Sequence, residues 1–385
     1  MLKIPNNSFC MLPFIHLHVD EKNDIRLCCN SEKKIKPYSN DFDFVNDTDF
    51  VEIRNKLLQG QAIEHCSKCY NVEQGGAKSS RYYHSNEWIT NLNIDNIEEV
   101  YTDLVFYDIR NDNTCNLACR MCYPGFSSQL EKEFIKLNWI KPSTRPRYKI
   151  TEIINVEKIK KLYMAGGEPT LIEEFKEFLQ LAIDKNRTDI ELRIITNGTN
   201  VNKEFAELLS NFSNIEFTVS IDGYNQVNRY IRWPSNWLSL VDNIKRLYNI
   251  TQRVSFNITV TMWNISQLSQ LVKFLDNEFD CPIIFLNIDE GQWNPFNFPN
   301  KQLVLKDLEE LKTTASYNDA QFKDKVDYFI TKISTTVIDK EKLKKFFTFN
   351  DLLDQSRDVK LIDYIPELEE CRSYLTKQMP NTNAE

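Results

Sequence analysis

The sequence predicts an α/β protein built on a parallel sheet, either an open doubly wound layer or a barrel, and three observations lead there. From about residue 100 onward, short apolar runs alternate with amphipathic stretches in regular strand-helix order. Five of the nine glycines, Gly166, Gly167, Gly198, Gly223 and Gly291, fall just past such a run. A short stretch with three thiols follows the first run, and Gly125 comes just after it. Glycine permits unusual backbone angles and close approach of a ligand to the main chain. In parallel α/β architectures the C-terminal strand ends form the binding face, so these stretches are expected to share one face.

Strands are expected at 104–109, 160–164, 191–195, 215–221, 254–261 and 282–288, with helices at about 126–138, 171–186, 202–211, 237–250 and 265–278. Thr170 reads as the cap of the helix that follows it, with Glu173 and Glu174 in the first turn. Past residue 295 the repeat ends, and helical periodicity continues at 303–311, 322–333 and 341–353. This last region is expected to pack on the side of the sheet or barrel or to cover its mouth. The expected domains are therefore 1–95, a cysteine-rich region; 100–295, the core; and 296–385, a helical C-terminal extension.

The first segment is rich in cysteine and turn residues. Residues 14–19 alternate like a strand, 20–24 read as a turn, and 25–28 return as the second arm of a hairpin. Thr48 to Leu58 reads as a helix with Phe50, Ile53, Leu57 and Leu58 on one face, leading into His65-Cys66-Ser67-Lys68-Cys69. Cys10, one of Cys28 or Cys29, Cys66 and Cys69 supply four thiols, enough for a complete first shell around an iron-sulfur cluster or structural zinc. Spacing alone does not choose between the metals. With the thiols sufficient, His16, His18 and His65 read as strand-face or loop residues. Cys281 and Cys371 stand alone and read as buried or unpaired thiols.

The chain of 385 residues, 42% hydrophobic, can bury a sizeable core. No stretch approaches the roughly 18 consecutive apolar residues of a membrane span, and the start lacks signal-peptide features. The expected location is cytoplasmic, with no membrane partner. Ten cysteines in that reducing compartment favour metal ligation over disulfides. A net charge of −8 argues against nucleic acid as the main partner. The local basic patch of Lys141, Arg145, Arg147 and Lys149 reads as a solvated loop.

Cys115, Cys119 and Cys122, spaced by three and then two residues, can wrap three sulfurs round one corner of a cubane and leave one iron without a protein ligand. Taken in order, these cysteines, Gly166-Gly167-Glu168-Pro169, Thr196-Asn197-Gly198 and Ser220-Ile221-Asp222-Gly223 resemble the radical S-adenosylmethionine (radical SAM) enzymes over roughly residues 100–291. The resemblance implies the partial (β/α)6 TIM-like barrel of that family. It also implies that Cys115, Cys119 and Cys122 hold a 4Fe-4S cluster whose open iron is chelated by SAM. Reductive cleavage of SAM would give methionine and a 5′-deoxyadenosyl radical that abstracts hydrogen from substrate. Gly166, Gly167 and Glu168 match the motif that binds the SAM amino group, a carboxylate facing an ammonium. Ser220 matches a residue near the SAM ribose and carboxylate, Arg232 matches an arginine that pairs with that carboxylate with Arg229 as the competing choice, and Asn197 is placed toward the ribose. Many family members carry an aromatic residue before the third cysteine; here Met121 stands there, and a thioether can also cover an adenine ring. Tyr123, just after, is a further candidate for that contact.

The first segment resembles the auxiliary-cluster module called SPASM, or its short twitch form, through Cys10-Met11-Leu12-Pro13-Phe14, Cys28-Cys29, Glu52-Ile53-Arg54 and Cys66-Ser67-Lys68-Cys69. That module usually follows the barrel, and here it precedes it. The resemblance implies a second 4Fe-4S cluster on Cys10, Cys28, Cys66 and Cys69, with Cys28 preferred over Cys29 and zinc as the rival metal. Such relatives act largely on peptides and proteins, so a peptide or protein side chain is the first expected substrate and a small sugar or nucleotide the second. A reducing partner such as flavodoxin or ferredoxin is implied. A non-catalytic iron-sulfur, zinc-binding or electron-transfer protein is the reading from another class. Asp289 and Glu290, at the end of the sixth strand, are candidate acid-base residues.

Overall fold

The computed structural model describes residues 4–92, 94, 102–110, 112–142, 148–288 and 290–375. The chain separates into two compact units that cut across the three sequence segments. The first comprises the chain to Asn116, Tyr123–Thr196 and Val201–Glu216, and the second comprises Leu117–Cys122, Asn197–Asn200 and the chain from Phe217 onward.

The first unit is built on strands β1 (His16–Val19), β2 (Asp24–Arg26), β3 (Lys36–Pro37), β4 (Phe106–Ile109), β5 (Lys161–Met164) and β6 (Glu191–Thr196), side by side in the order β3-β2-β1-β4-β5-β6. The strands β1, β4, β5 and β6 run parallel, with His16 opposite Phe106, Phe106 opposite Lys161 and Lys161 opposite Glu191. Parallel neighbours need crossover connections. Helices α5 (Ser128–Lys136) and α6 (Ile150–Ile153) lie between β4 and β5, α7 (Glu173–Asp184) lies between β5 and β6, and α8 (Lys203–Leu209) follows β6. All four residues of β4 are buried, as expected of a strand covered on both faces.

The hairpin of the cysteine-rich segment forms, and its first strand continues the core sheet: β1 pairs antiparallel with β2 and parallel with β4. The expected strand over 14–19 is shortened. Pro13 sits in the first turn of a short helix, α1 (Leu12–Ile15), where its fixed backbone angle and missing N–H are tolerated, and extended backbone begins only at His16. Leu27 and Cys28 likewise fall outside β2.

Helix α2 (Thr48–Leu58) has the expected bounds, with the Asp47 carboxylate accepting from the amides of Asp49 and Phe50. Its buried face differs from expectation. Leu58 is exposed, and Arg54 is buried instead. The Arg54 guanidinium donates to the carbonyls of Pro13 (2.8 Å), Val45 (2.8 Å) and Phe44 (2.6 Å) and lies 4.7 Å from the Phe44 ring centre. Three carbonyls thus replace its hydration, and the stem packs among aromatic rings. Two further helices, α3 (Ser67–Gln74) and α4 (Ser80–Asn91), follow. Helix α4 lays Trp88 on Phe106, ring centres 5.7 Å apart, and sets Glu87 2.5 Å from the buried ammonium of Lys161.

Thr170 does not cap α7. Residues Pro169–Leu171 form a single 3-10 turn in which the Thr170 amide and hydroxyl both donate to the Glu168 carboxylate, and the helix begins at Glu173. A nearer acceptor has taken the threonine.

The second unit carries β7 (Ile215–Ser220) from Phe217 onward, β8 (Val254–Val260) and β9 (Ile283–Asn287), all parallel, with Phe217 opposite Val254 and Phe256 opposite Ile283. Between them run α9 (Gln226–Ile231), α10 (Trp237–Ile250) and α11 (Leu268–Glu278). The C-terminal extension follows as α12 (Lys301–Leu311), α13 (Ala320–Thr335), α14 (Lys340–Arg357) and α15 (Pro366–Glu370). Helix α13 covers β9, with Phe285 4.8 Å from Phe322 between ring centres, and Asp307 of α12 accepts from the Ser269 hydroxyl of α11 at 2.5 Å. No helix among the described residues is long and apolar enough to cross a membrane. The six expected core strands are all present as parallel strands of an α/β fold.

Candidate metal and cofactor sites

In the first unit, four thiols come from four local structures. Cys10 follows the buried Phe9, which stacks on Phe14. Cys28 lies in the bend after β2, Cys66 ends the 3-10 turn Glu64–Cys66, and Cys69 lies in the first turn of α3. All four line one pocket, together with Leu12, Cys29, His65 and Arg81. Burial pushes the Cys10 thiol well up, and Cys66, Cys28 and Cys69 add to the rise. Cys28 is pushed up by burial, then by Cys29, Cys66 and Cys69, and burial with Cys69 takes Cys66 to about 11. Thiols this close resist becoming thiolates together, and a bound cation reverses that by favouring the deprotonated form.

Cys28 and Cys29 part company here. Cys28 feels Cys29 first and then Cys66 and Cys69, whereas Cys29 answers, after burial, to Asp108 and Arg110, and both line the pocket. The histidines are engaged elsewhere. His16 is buried and pushed down to about 3, chiefly by burial, with Nδ1 3.1 Å from the Leu27 carbonyl. His18 Nδ1 lies 3.1 Å from Asp108, and His65 Nδ1 lies 3.2 Å from the Ser31 hydroxyl. Burial would raise the Asp108 carboxyl, but His18 and Arg110 outweigh it and hold the group below the usual carboxylate range. Among the described residues, no three Cys, His, Asp or Glu side chains converge closely enough to grip a single metal ion. Tetrahedral zinc, with bonds of about 2.3 Å, needs sulfurs only about 3.8 Å apart.

The first unit also shows why two glycines precede Glu168. The Gly167 amide donates to the Asp112 carbonyl (3.1 Å) and the Glu168 amide to the Thr114 carbonyl (2.7 Å), so the turn lies flat against the chain entering Cys115. A Cβ on Gly167 would sit 2.3 Å from the Thr114 oxygen, and Gly166 adopts φ +114°. The Glu168 side chain is fully buried, with one oxygen accepting from Thr170 (amide 3.2 Å, hydroxyl 2.9 Å) and from the Thr196 hydroxyl (2.7 Å). Cys115 is partly exposed, and its amide donates to Ser128 at 3.2 Å.

The second unit holds Leu117–Cys122. The Ala118 amide donates to Trp233 (2.6 Å), Arg120 to Ile231 (2.8 Å) and Cys122 to Cys119 (3.0 Å). Burial raises the Cys119 thiol; Arg232 opposes this, Asp222 adds to it and Arg357 opposes it again. Arg232 is ion-paired with the buried Asp222 at 2.6 Å, while Arg229 lies over the Trp233 ring at 5.4 Å. Asp222 also accepts from the Thr259 amide at 2.6 Å. Ser220 ends β7 partly exposed, Met121 is partly exposed, and Asn197 is buried with its oxygen accepting from Thr199. Sequence reasoning missed the Asp222–Arg232 pair, although the Ser-Ile-Asp-Gly stretch held the signal, an acid at a strand end. It also missed the charged side chains that hold the loop.

Glu290 lies in an exposed bend, and Asp289 falls outside the described residues, as do Arg145 and Arg147 of the basic patch. Lys141 and Lys149 are exposed. Cys281 contacts the Tyr248 hydroxyl, and Cys371 is buried and donates to the Glu367 carbonyl at 3.3 Å. Neither belongs to the two thiol sets.

Residues 113–275 match the model of the Radical SAM superfamily, whose members use a 4Fe-4S cluster and SAM. Among curated relatives, the sporulation killing factor maturation protein SkfB of Bacillus subtilis (strain 168) is 25% identical over 162 residues, 42% of this chain and 37% of that protein. GTP 3′,8-cyclase of Campylobacter jejuni (strain RM1221) is 26% identical over 165 residues, 42% of this chain and 48% of that protein. The match thus spans less than half of either relative. Among solved structures, anSMEcpe with bound AdoMet is similar with a TM-score of 0.39 and 18% identity, covering 54% of this chain and 59% of that one. Streptococcus suis SuiB bound to S-adenosylmethionine has a TM-score of 0.37 and 15% identity, covering 72% and 63%.

Proposed function

We propose that this chain is a radical SAM enzyme that modifies a peptide or protein side chain, working in the reducing cytoplasm with an external electron donor. The observation that carries the reading is the Gly166, Gly167 and Glu168 turn, hydrogen-bonded along Asp112 and Thr114, directly before the first of three cysteines in the family's order. In this reading Cys115, Cys119 and Cys122 ligate the catalytic cluster, which when bound supplies the electron that splits SAM into methionine and a 5′-deoxyadenosyl radical. That radical takes a hydrogen atom from substrate and becomes 5′-deoxyadenosine. The chain's own residues bind and orient. The Gly166 and Gly167 backbone gives close approach, and Glu168, fixed by two threonines, presents a carboxylate for the SAM ammonium. Ser220, Asn197 and Arg232 serve the ribose and carboxylate end, Arg232 being held meanwhile by Asp222, and Met121 covers the adenine. Cys10, Cys28, Cys66 and Cys69 hold a second cluster, supported by the pocket that all four line. With four thiol ligands it has no open iron, so it serves electron transfer or support.

The peptide reading draws on SkfB, whose name describes maturation of a killing factor. The similarity to GTP 3′,8-cyclase favours a second reading, a nucleotide substrate. The test is anaerobic reconstitution with reductant and SAM. The wild type releases 5′-deoxyadenosine and Cys115→Ala releases none; equal release from both sinks the enzymatic reading. Deuterium transfer into 5′-deoxyadenosine from labelled peptides, against labelled nucleotides, separates the two substrate classes.

A further inference from the structure

Between the second and third cysteines of the loop stands Arg120, and its side chain is fully buried. A buried guanidinium must spend its N–H groups on fixed acceptors. Here Nε donates to the Tyr230 carbonyl (2.9 Å), Nη1 to the Asn350 side-chain oxygen (3.1 Å) and Nη2 to Asp354 (2.5 Å), while the Tyr230 ring centre lies 3.6 Å from Cζ. The Tyr230 hydroxyl donates to Asp354 at 2.9 Å, and Trp263 Nε1 donates to Asn350 at 2.9 Å. Seven residues past Asn350 on α14, Arg357 donates to the Ala118 carbonyl at 2.8 Å, one residue before Cys119. Asn350, Asp354 and Arg357 recur at helical spacing, so one face of α14 grips the loop. Just past Arg357, Asp358 ends the helix in the left-handed conformation at φ +50°, and the Leu361 amide returns to Asp354 at 2.8 Å. A C-terminal extension thus reaches back more than 200 residues to the two-thiol end of the loop.

We propose that α14 is a positioning clamp for the catalytic cluster loop, with Arg120 and Arg357 as positioning residues that fix the loop at Ala118 and Arg120, Arg357 also placing positive charge beside Cys119. The inference rests on the cluster reading above. Outer partners that orient ligands and set local charge tune both the retention and the potential of a metal group. A cation near the cluster favours its reduced, more negative state, so losing the cation shifts the potential negative.

The experiment compares wild type, Arg357→Met, Arg357→Lys, Asp354→Asn and Arg372→Ala, all full-length and reconstituted anaerobically. Arg372 pairs with Asp351 on α14 at 2.9 Å without touching the loop and so reports on helix stability alone. The readouts are iron loss to a chelator, melting temperature, and the midpoint potential of the electron paramagnetic resonance signal that responds to SAM. The expected result is iron loss about tenfold faster for Arg357→Met and Asp354→Asn. A negative potential shift is expected in Arg357→Met and is restored by Arg357→Lys. Arg372→Ala should change melting alone. Unchanged loss and potential in Arg357→Met, or the same changes in Arg372→Ala, would overturn the clamp while leaving the cluster reading intact. A wild type that takes up no SAM-responsive cluster removes both.

Discussion

Cys115, Cys119 and Cys122 lie within eight consecutive residues, whereas Cys10, Cys28, Cys66 and Cys69 are spread over sixty and reach their pocket from a bend, two short helical elements and the chain before α1. As proposed ligands, the local set of three thiols would leave a position open, and the dispersed set of four would close its shell. The contrast extends to what holds each set. The dispersed thiols are placed by the first unit itself, with β1 in the core sheet and Arg54 fastened to the carbonyl of Pro13 beside α1. The local thiols need little help to be near one another, yet Leu117–Cys122 is tied down by side chains from α14. Nearness in sequence brings ligands together, and distant contacts decide how firmly and in what charge environment they are held.

The comparison can be broken most forcefully at the dispersed set. Cys66→Ala should lower iron from about eight to about four per chain, with the SAM-responsive signal kept. Loss of both clusters would show that the two sets are not independently built, and loss of zinc in place of iron would identify the rival metal. A smaller effect is expected at the turn beside Cys115. Gly167→Ala forces a methyl against the Thr114 carbonyl and should destabilise the fold by about 1–3 kcal/mol, read as a lower melting temperature. It should weaken SAM binding while auxiliary iron stays at the wild-type level, and wild-type SAM affinity would remove the turn from the site. The smallest effect sharpens the ligand choice. Cys28→Ser should match Cys66→Ala in iron content and Cys29→Ser should match the wild type, because Cys28 is coupled to the pocket thiols and Cys29 to Asp108 and Arg110. The reverse result would exchange the two.

Much of the architecture was legible because it is written in short-range pattern. Six core strands and the longer helices between them follow from apolar periodicity, although the short α6 and α9 do not, and helix α2 was readable to its end residues. The errors came where a local rule met a stronger partner elsewhere. Thr170 looked like a cap but serves Glu168, and Pro13 sits in a short helix where a strand was expected to start. Leu58 gave way to Arg54 on the buried face because three carbonyls were waiting for a guanidinium. Helices α3 and α4 escaped because polar sequence shows little periodicity.

By itself, the sequence determined the order of the core strands, the three-cysteine motif and the placing of glycines just past strand ends, since each depends on neighbours a few residues away. Only the tertiary structure decided that β1 joins the core sheet and that Arg120 is answered by Asn350 and Asp354. Those outcomes depend on which buried groups find partners across long stretches of chain. Burial penalties of this kind are felt only once the chain has folded.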